Sequence, residues 1–232
     1  MDSKKIGLLG SSGITSLSLK EQAYNLIKEG ILYHKLKVGT VYSQDLLCTE
    51  LGISRTPVRE ALLQLEQEGY VSFLRGKGIV VVPITDARAA EIMEARYYLE
   101  QAGCRLAALR RQDKNLKAID DSLQAMEKHC TSGDNMLLYQ LDRSFHLCIF
   151  EAAGNSWLLD EIEKLRDHFL RFETFDAFNS IDKAKDVLSE HQAIASAIKE
   201  GLPDKAAEAM RTHLKRTSLR TTKHLSPLYE NQ

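Results

Sequence analysis

The stretch Ser54-Arg55-Thr56-Pro57-Val58-Arg59-Glu60-Ala61-Leu62 decides the fold of the first third of the chain. It predicts a helix capped by Ser54, because a serine side chain can accept a hydrogen bond from a free N–H of the first turn. Pro57 lies within that turn, where its missing N–H does no harm. Arg55 and Arg59 are four residues apart and therefore project from one face. The opposite, apolar face is formed by Val58, Ala61, Leu62 and Leu65.

The elements on either side of this helix predict a small mixed domain. Helical spacing of apolar residues predicts a helix over 19–32 and a short one, capped by Ser43, that ends at Leu51. A hairpin follows, with strands over 70–74 and 79–82 separated by Arg75-Gly76-Lys77-Gly78. Three helices and a hairpin form a winged helix-turn-helix, in which the last helix enters the DNA major groove and an arginine can bind guanine through two hydrogen bonds.

This part of the chain resembles the winged-helix domain of GntR-type bacterial transcription regulators. The resemblance rests on Gly39, Leu46, Leu51-Gly52, the stretch from Ser54 to Leu62, Leu65, Glu68-Gly69 and Arg75-Gly76. It implies that Arg55, Thr56 and Arg59 bind double-stranded operator DNA and that Gly76, at the tip of the wing (the hairpin), enters the minor groove. Arg75 and Lys77, next to Gly76, are further candidates for DNA binding, and we expect Lys77 to contact phosphate. Some members carry an arginine near the start of the second helix, where this chain has Gln44.

The composition limits the class of protein. The 232 residues include 31 basic and 32 acidic side chains and are 44% apolar, which is typical of one large or two small globular domains. No apolar run approaches the ~20 residues that span a bilayer, and the apolar stretch Ile6-Gly7-Leu8-Leu9-Gly10 is too short for a secretory signal. The four cysteines are too widely spaced for a zinc cluster or a disulfide framework. We therefore expect a soluble, cytoplasmic protein that makes no membrane contact.

The rest of the chain predicts helices only, so the fold class is mainly α. We expect a winged helix-turn-helix DNA-binding domain over 1–83 and an antiparallel bundle of about six helices over 84–232. The linker is Val82-Pro83-Ile84-Thr85, and Asp86 is a candidate cap for the first bundle helix. The predicted helices are 86–110, 113–131, 135–153, 156–178, 181–200 and 203–223.

Four side chains in this bundle have the spacing of a metal site. Asp142 and His146 are four residues apart and share one helix face. His191 and His213 are each 11 residues from Leu202, in the turn between the last two helices, and therefore lie at the same height in an antiparallel pair. One carboxylate and three imidazoles suit a divalent ion, with zinc first and nickel, manganese or iron as alternatives.

The helical part also resembles a known domain, the all-helical metal-binding effector (FCD) domain of the FadR branch of GntR regulators. The matching strings are Glu94-Ala95-Arg96 with Leu99-Glu100, Asp142 with Phe145-His146, Ala152-Ala153-Gly154-Asn155 with Leu158-Leu159, Glu190-His191 with Ile194 and Ala197-Ile198, and Ala206 with Met210 and His213-Leu214. The resemblance implies that Asp142, His146, His191 and His213 hold a metal that helps to bind a small carboxylate effector. It also implies that Arg96 pairs with that carboxylate, while a salt bridge from Arg96 to Glu94 or Glu100 is the alternative. The same domain is expected to mediate dimerisation.

These features favour a ligand-responsive transcription repressor that binds its operator as a homodimer and is not an enzyme. Two alternatives remain at this level: a helical metalloenzyme fused to a winged helix, and a sensor whose signal is the metal itself. The metalloenzyme needs a general base near the ligands. Glu190 is next to His191, but adjacent residues point about 100° apart on a helix.

Overall fold

The computed structural model describes residues 17–173 and 176–221 and contains, within them, nine helices and three strands. The chain divides into two compact units between Val82 and Pro83. The elements are α1 (Leu19–Leu32), β1 (Val41–Tyr42), α2 (Gln44–Leu51), α3 (Arg55–Gln67), β2 (Val71–Leu74), β3 (Gly78–Val81), α4 (Asp86–Arg110), α5 (Asp113–His129), α6 (Asn135–Ala153), α7 (Ser156–Leu170), α8 (Ile181–Lys199) and α9 (Pro203–Thr221). No helix among these described residues is long and apolar enough to cross a membrane.

The first unit packs α1 and α2 against α3, and its strands form a three-stranded antiparallel sheet in the order β1-β3-β2. The predicted hairpin corresponds to β2 and β3. The strand β1 was not predicted, because it has two residues and is held by pairing with Ile79 and Val80 from far along the chain. The core includes Ile27, Ile31, Val58, Ala61, Leu62, Leu65, Ile79 and Val81.

Local signals explain the bounds of the helices in this unit. The Ser43 hydroxyl accepts a hydrogen bond from the N–H of Leu46 at 3.1 Å, and Gly52 takes the left-handed conformation that ends α2. Ser54 occupies the cap position of α3, but its side chain makes no capping hydrogen bond, contrary to the expectation from sequence. Gly78 has φ 118°, and a side chain there would overlap the Tyr42 carbonyl oxygen, so the start of β3 requires glycine.

The second unit is a bundle of six helices in which α4 packs against α6, α7, α8 and α9. The helices α5 and α8 end two residues and one residue earlier than predicted, at His129 and Lys199, and two larger differences concern α4 and α7. Thr85, not Asp86, caps α4, since its hydroxyl accepts from the N–H of Arg88 at 3.3 Å. The helix α7 ends at Leu170, whereas the sequence predicted helix to residue 178.

The early end of α7 has a tertiary cause. Buried apolar residues continue after the helix at Ala177 and Phe178, so the periodic signal continues as well. In place of a helical bond, the N–H of Ala177 donates to the hydroxyl of Tyr139, on α6, at 3.0 Å, so this part of the chain packs on α6 without being helical. The last two residues predicted for α9, 222 and 223, lie outside the described residues. The short N-terminal apolar stretch of residues 6–10 lies outside them as well.

Candidate DNA interface and candidate metal centre

A groove of about 640 Å³ lies between the start of α3 and the hairpin in the first unit. Arg55 and Arg59 line it from the helix, and Arg75, Gly76 and Lys77 line it from the turn between β2 and β3. All five are exposed to solvent. Thr56 is exposed as well but is not among the lining residues. The groove therefore presents four cations and one carboxylate, Asp45, around one concave surface, and this excess of positive charge favours an anionic polymer.

The start of α2 holds the start of α3 through two polar contacts. The Gln44 amide donates to the carbonyl of Arg55 at 3.0 Å. The carboxylate of Asp45 contacts Nη2 of Arg55, with 2.8 Å to Oδ1 and 2.9 Å to Oδ2. Both members of this ion pair are more than half exposed, so it contributes little to stability. Its effect is to fix the direction of the Arg55 guanidinium beside the groove.

The second unit brings Asp142, His146, His191 and His213 together, with one ligand atom from each within 4.8 Å of every other. They come from three helices: α6 supplies the aspartate and the first histidine, α8 and α9 the other two. The ring centroids of His191 and His213 are 4.7 Å apart, and His146 is 5.2 Å from each of them. The Asp142 Oδ1 atom lies 3.4 Å from Nε2 of His191 and 3.8 Å from Nε2 of His146.

The Nδ1 atom of each of these histidines faces another side chain. Nδ1 of His213 lies 2.8 Å from Oε2 of Glu190, and Nδ1 of His146 contacts Oε2 of Glu100. Nδ1 of His191 lies 3.3 Å from the sulfur of Met126. Within the described part of the chain, Nε2 of His191 and both ring nitrogens of His146 are buried without a hydrogen bond of good geometry. The carboxylates that face Nδ1 of His146 and His213 give these two rings the orientation of metal-binding histidines, with Nε2 left as the ligand atom.

A buried arginine links two of these side chains. Nη2 of Arg166, on α7, donates to Oδ2 of Asp142 at 2.5 Å, and its Nη1 donates to Oε1 of Glu100 at 3.2 Å. Glu100 is fully buried and also accepts from Nε of Arg96 at 2.8 Å. Arg96 thus makes the salt bridge to Glu100 considered in the sequence analysis, and its guanidinium lies over the ring of Phe169. Its Nη1 is buried without a hydrogen-bond partner among the described residues.

Burial sets the protonation of the histidines. It lowers the pKa of His146 to about 4, with the positive charge of Arg166 adding to the effect and Glu100 opposing it. Burial also lowers the pKa of His191 well below its usual range, and the electrostatic influence of the neighbouring His213 and His146 on that ring adds to the effect. Burial raises the pKa of Glu100, but His146, Arg96 and Arg166 outweigh it and hold that pKa well below its usual range. His146 and His191 are therefore neutral at pH 7, the form that binds metals.

Three residues of this network were not identified as site residues from the sequence. Glu100, Arg166 and Glu190 act on the candidate ligands through the contacts described above, and they lie 46, 24 and 23 residues from the ligand that each contacts. Such long-range partners leave no periodic signal. The side chain of Glu190 points away from its neighbour His191, as adjacent positions on a helix predict. In this direction its carboxylate contacts Nδ1 of His213.

Comparison with known proteins agrees with both units. The model of the bacterial regulatory proteins of the gntR family matches residues 19–81, and the FCD domain model matches residues 91–216. The chain is 26% identical over 196 residues to the uncharacterized HTH-type transcriptional regulator YdhC of Bacillus subtilis, covering 83% of this chain and 84% of that protein. It is 24% identical over 200 residues to the HTH-type transcriptional repressor RspR of Escherichia coli, covering 86% and 87%.

The fold is also that of a solved regulator. The structure of E. coli McbR/YncC superposes with a TM-score of 0.79 at 23% identity, over 88% of this chain and 97% of that one. The family assignment rests on the two domain models, because the FCD match alone covers more than half of the 232 residues. The chain therefore belongs to the GntR family of bacterial DNA-binding transcription regulators, with an FCD domain as its second unit.

Proposed function

We propose that the protein is a cytoplasmic repressor that binds its operator as a homodimer and responds to a small carboxylate held beside a divalent metal ion in the FCD domain. The observation that carries this proposal is the convergence of Asp142, His146, His191 and His213 on one point inside the bundle. An effector changes operator affinity only if it binds one state of the protein better than the other.

We assign operator recognition to the groove between α3 and the wing, which is the hairpin of β2 and β3. Within this proposal Arg55 and Arg59 read base edges, Thr56 adds a contact from the same helix, and Lys77 contacts phosphate; the lining of the groove by both arginines and Lys77 supports this assignment. A single winged helix with so few contacts gives a small interface. Two copies bound to an inverted repeat double it, which supports the homodimer.

The four candidate ligands fit a divalent metal. Neutral imidazoles and one carboxylate form a mixed nitrogen and oxygen set that suits zinc, nickel, manganese or iron. The fit is supported by the buried Nε2 atoms of His146 and His191, which lack another partner in the described chain. Once bound, the metal supplies a Lewis-acidic position for an oxygen of the effector. Glu100 and Glu190 orient His146 and His213 for this role.

Arg96 is the proposed second contact of the effector. Its Nε and Nη2 are committed to Glu100, but Nη1 is buried with no acceptor in the described residues. A buried guanidinium N–H without an acceptor is costly, so an anion placed there is favoured. The ion pair with Glu100 therefore positions Arg96 rather than excluding it from ligand binding.

One observation weighs against the metalloenzyme alternative. Glu190, the carboxylate considered as a general base, contacts His213 and also accepts from Nη2 of Arg220 at 2.6 Å and Nη1 of Arg216 at 3.3 Å. A carboxylate that is fully engaged in this way is poorly placed to take a proton from a metal-bound water.

The test measures operator binding by fluorescence anisotropy, with an operator selected from random DNA by the full-length protein. Metal-free protein is titrated first with Zn²⁺ and then with small carboxylates. We expect the carboxylate to change operator affinity only in the presence of metal. A response to metal alone would support the sensor alternative, and a carboxylate response that survives His191→Ala and His213→Ala together would contradict the proposed site.

A further inference from the structure

Three carboxylates at the candidate metal centre, Glu100, Asp142 and Glu190, are each matched by an arginine. Asp142 belongs to the ligand set and the two glutamates orient it, and the arginines come from α4, α7 and α9. The three pairs are Arg96 with Glu100 at 2.8 Å, Arg166 with Asp142 at 2.5 Å and Arg220 with Glu190 at 2.6 Å.

These charges cancel without a metal. Three carboxylates face three arginines whose side chains are 2%, 4% and 14% exposed. Arg216 also reaches Glu190, but its side chain is 60% exposed and its charge is therefore hydrated. The neighbouring pair of Arg143 and Asp167, at 3.1 Å, also balances, and the buried Arg171 and Glu173 add one charge of each sign. The metal-free centre is thus close to neutral overall.

A divalent ion disturbs this balance. The three histidines that would bind it are between 0% and 2% exposed, so water has little access to screen the added charge. They bind as neutral rings and contribute no negative charge. Asp142, the one anionic ligand, is already balanced by Arg166. The loaded centre therefore carries about two uncompensated positive charges in a buried environment, where an unbalanced charge is costly.

We infer that the effector is a small dianion, of the class of dicarboxylates with both groups ionised. This inference rests on the proposed metal and carboxylate function and specifies the charge of the ligand. Two negative charges restore neutrality, whereas a monocarboxylate leaves one positive charge and a neutral sugar leaves two. The buried Nη1 of Arg96, without an acceptor among the described residues, is a donor for the second carboxylate.

The test compares ligands that differ by one charge and little else. Full-length protein loaded with one equivalent of Zn²⁺ is titrated calorimetrically with malonate, succinate and glutarate, and with the monoamide of each acid. A monoamide keeps the length and most of the hydrogen-bonding groups of its parent but carries one negative charge less. We expect at least one dicarboxylate to bind tenfold or more tightly than its own monoamide, and this preference to disappear in metal-free protein.

Variants test the charge balance itself. Arg166→Gln removes one buried positive charge and should reduce the ratio of diacid to monoamide affinity at least threefold. Arg220→Gln, at the edge of the centre, makes the same test if the first variant fails to fold. Arg211→Gln is the matched control, because this arginine also lies on α9 but pairs with the exposed Glu208, and its ratio should stay unchanged.

The outcomes separate the inference from the proposal beneath it. Equal affinity of diacid and monoamide in all three pairs would overturn the dianion and leave a carboxylate effector in place. Absence of binding by all six compounds to zinc-loaded protein would overturn the carboxylate effector as well. Failure to retain zinc would overturn the metal centre on which both depend.

Discussion

Replacing Glu190 by glutamine isolates the contribution of a residue that orients a ligand without binding the metal. The change keeps the size of the side chain but removes the charge that faces Nδ1 of His213 at 2.8 Å and Arg220 at 2.6 Å. Residues in this position typically change metal affinity 10- to 100-fold. At ~1.4 kcal/mol for each factor of ten, we expect Glu190→Gln to weaken metal binding by about 1.4–2.8 kcal/mol.

The same substitution should also lower the stability of the metal-free bundle. The Arg220 side chain is only 14% exposed, and leaving such a group without its partner costs about 1–3 kcal/mol. Metal affinity is measured by competition with a chromogenic chelator, and stability by thermal unfolding in the presence of EDTA. The two measurements separate a loss of metal affinity from a general loss of the fold.

The matched control is Glu208→Gln. Glu208 also bonds an arginine on α9, but it is 63% exposed and pairs with Arg211 rather than with a candidate ligand, so both quantities should stay within error of the original protein. The reasoning is refuted if Glu190→Gln binds metal as tightly as the unmodified chain, or if the two variants behave alike.

Further predictions concern the DNA interface and the effect of pH. Arg59→Ala should weaken operator binding by about 1–3 kcal/mol and relax specificity at one base pair. Lys77→Ala should weaken binding to all sequences alike and reduce the slope of log affinity against log salt concentration by about one. Fluorescence anisotropy on matched and scrambled duplexes at several salt concentrations distinguishes the two effects. Gly78→Ala should disrupt the junction of β1 and β3, since a Cβ there overlaps the Tyr42 carbonyl, and operator affinity should fall although both arginines remain. The pKa of His146 is about 4 in the folded protein and ~6.5 when unfolded, so the unfolded chain binds more protons between these values. Stability of the metal-free bundle should therefore fall by about 3 kcal/mol as the pH drops from 6.5 to 4, as followed by circular dichroism with EDTA, and a flat profile would contradict the burial of this ring.

Local signals in the sequence were sufficient for most of the fold. Apolar residues at helical spacing, serine caps and glycine stops depend on neighbours within a turn, so α1, α2 and α3 could be located without tertiary information. The sequence was also sufficient to predict the helix face and the height along the bundle at which the candidate ligands lie. An interval of four residues fixes Asp142 and His146 on one face, and equal distances from the turn place His191 and His213 at one height.

Tertiary structure decided the features that depend on residues distant in the chain. The strand β1 exists because β3 pairs with it, and the chain after α7 packs on α6 through the bond from the N–H of Ala177 to the Tyr139 hydroxyl instead of continuing as a helix. The partners of the candidate ligands, Glu100 and Arg166, approach from other helices. A carboxylate or guanidinium on a helix has the same local pattern whether it faces water or a buried histidine. Only the packing of α4 and α7 against α6 determines which of them is buried, and this packing gives the candidate centre its balanced charge.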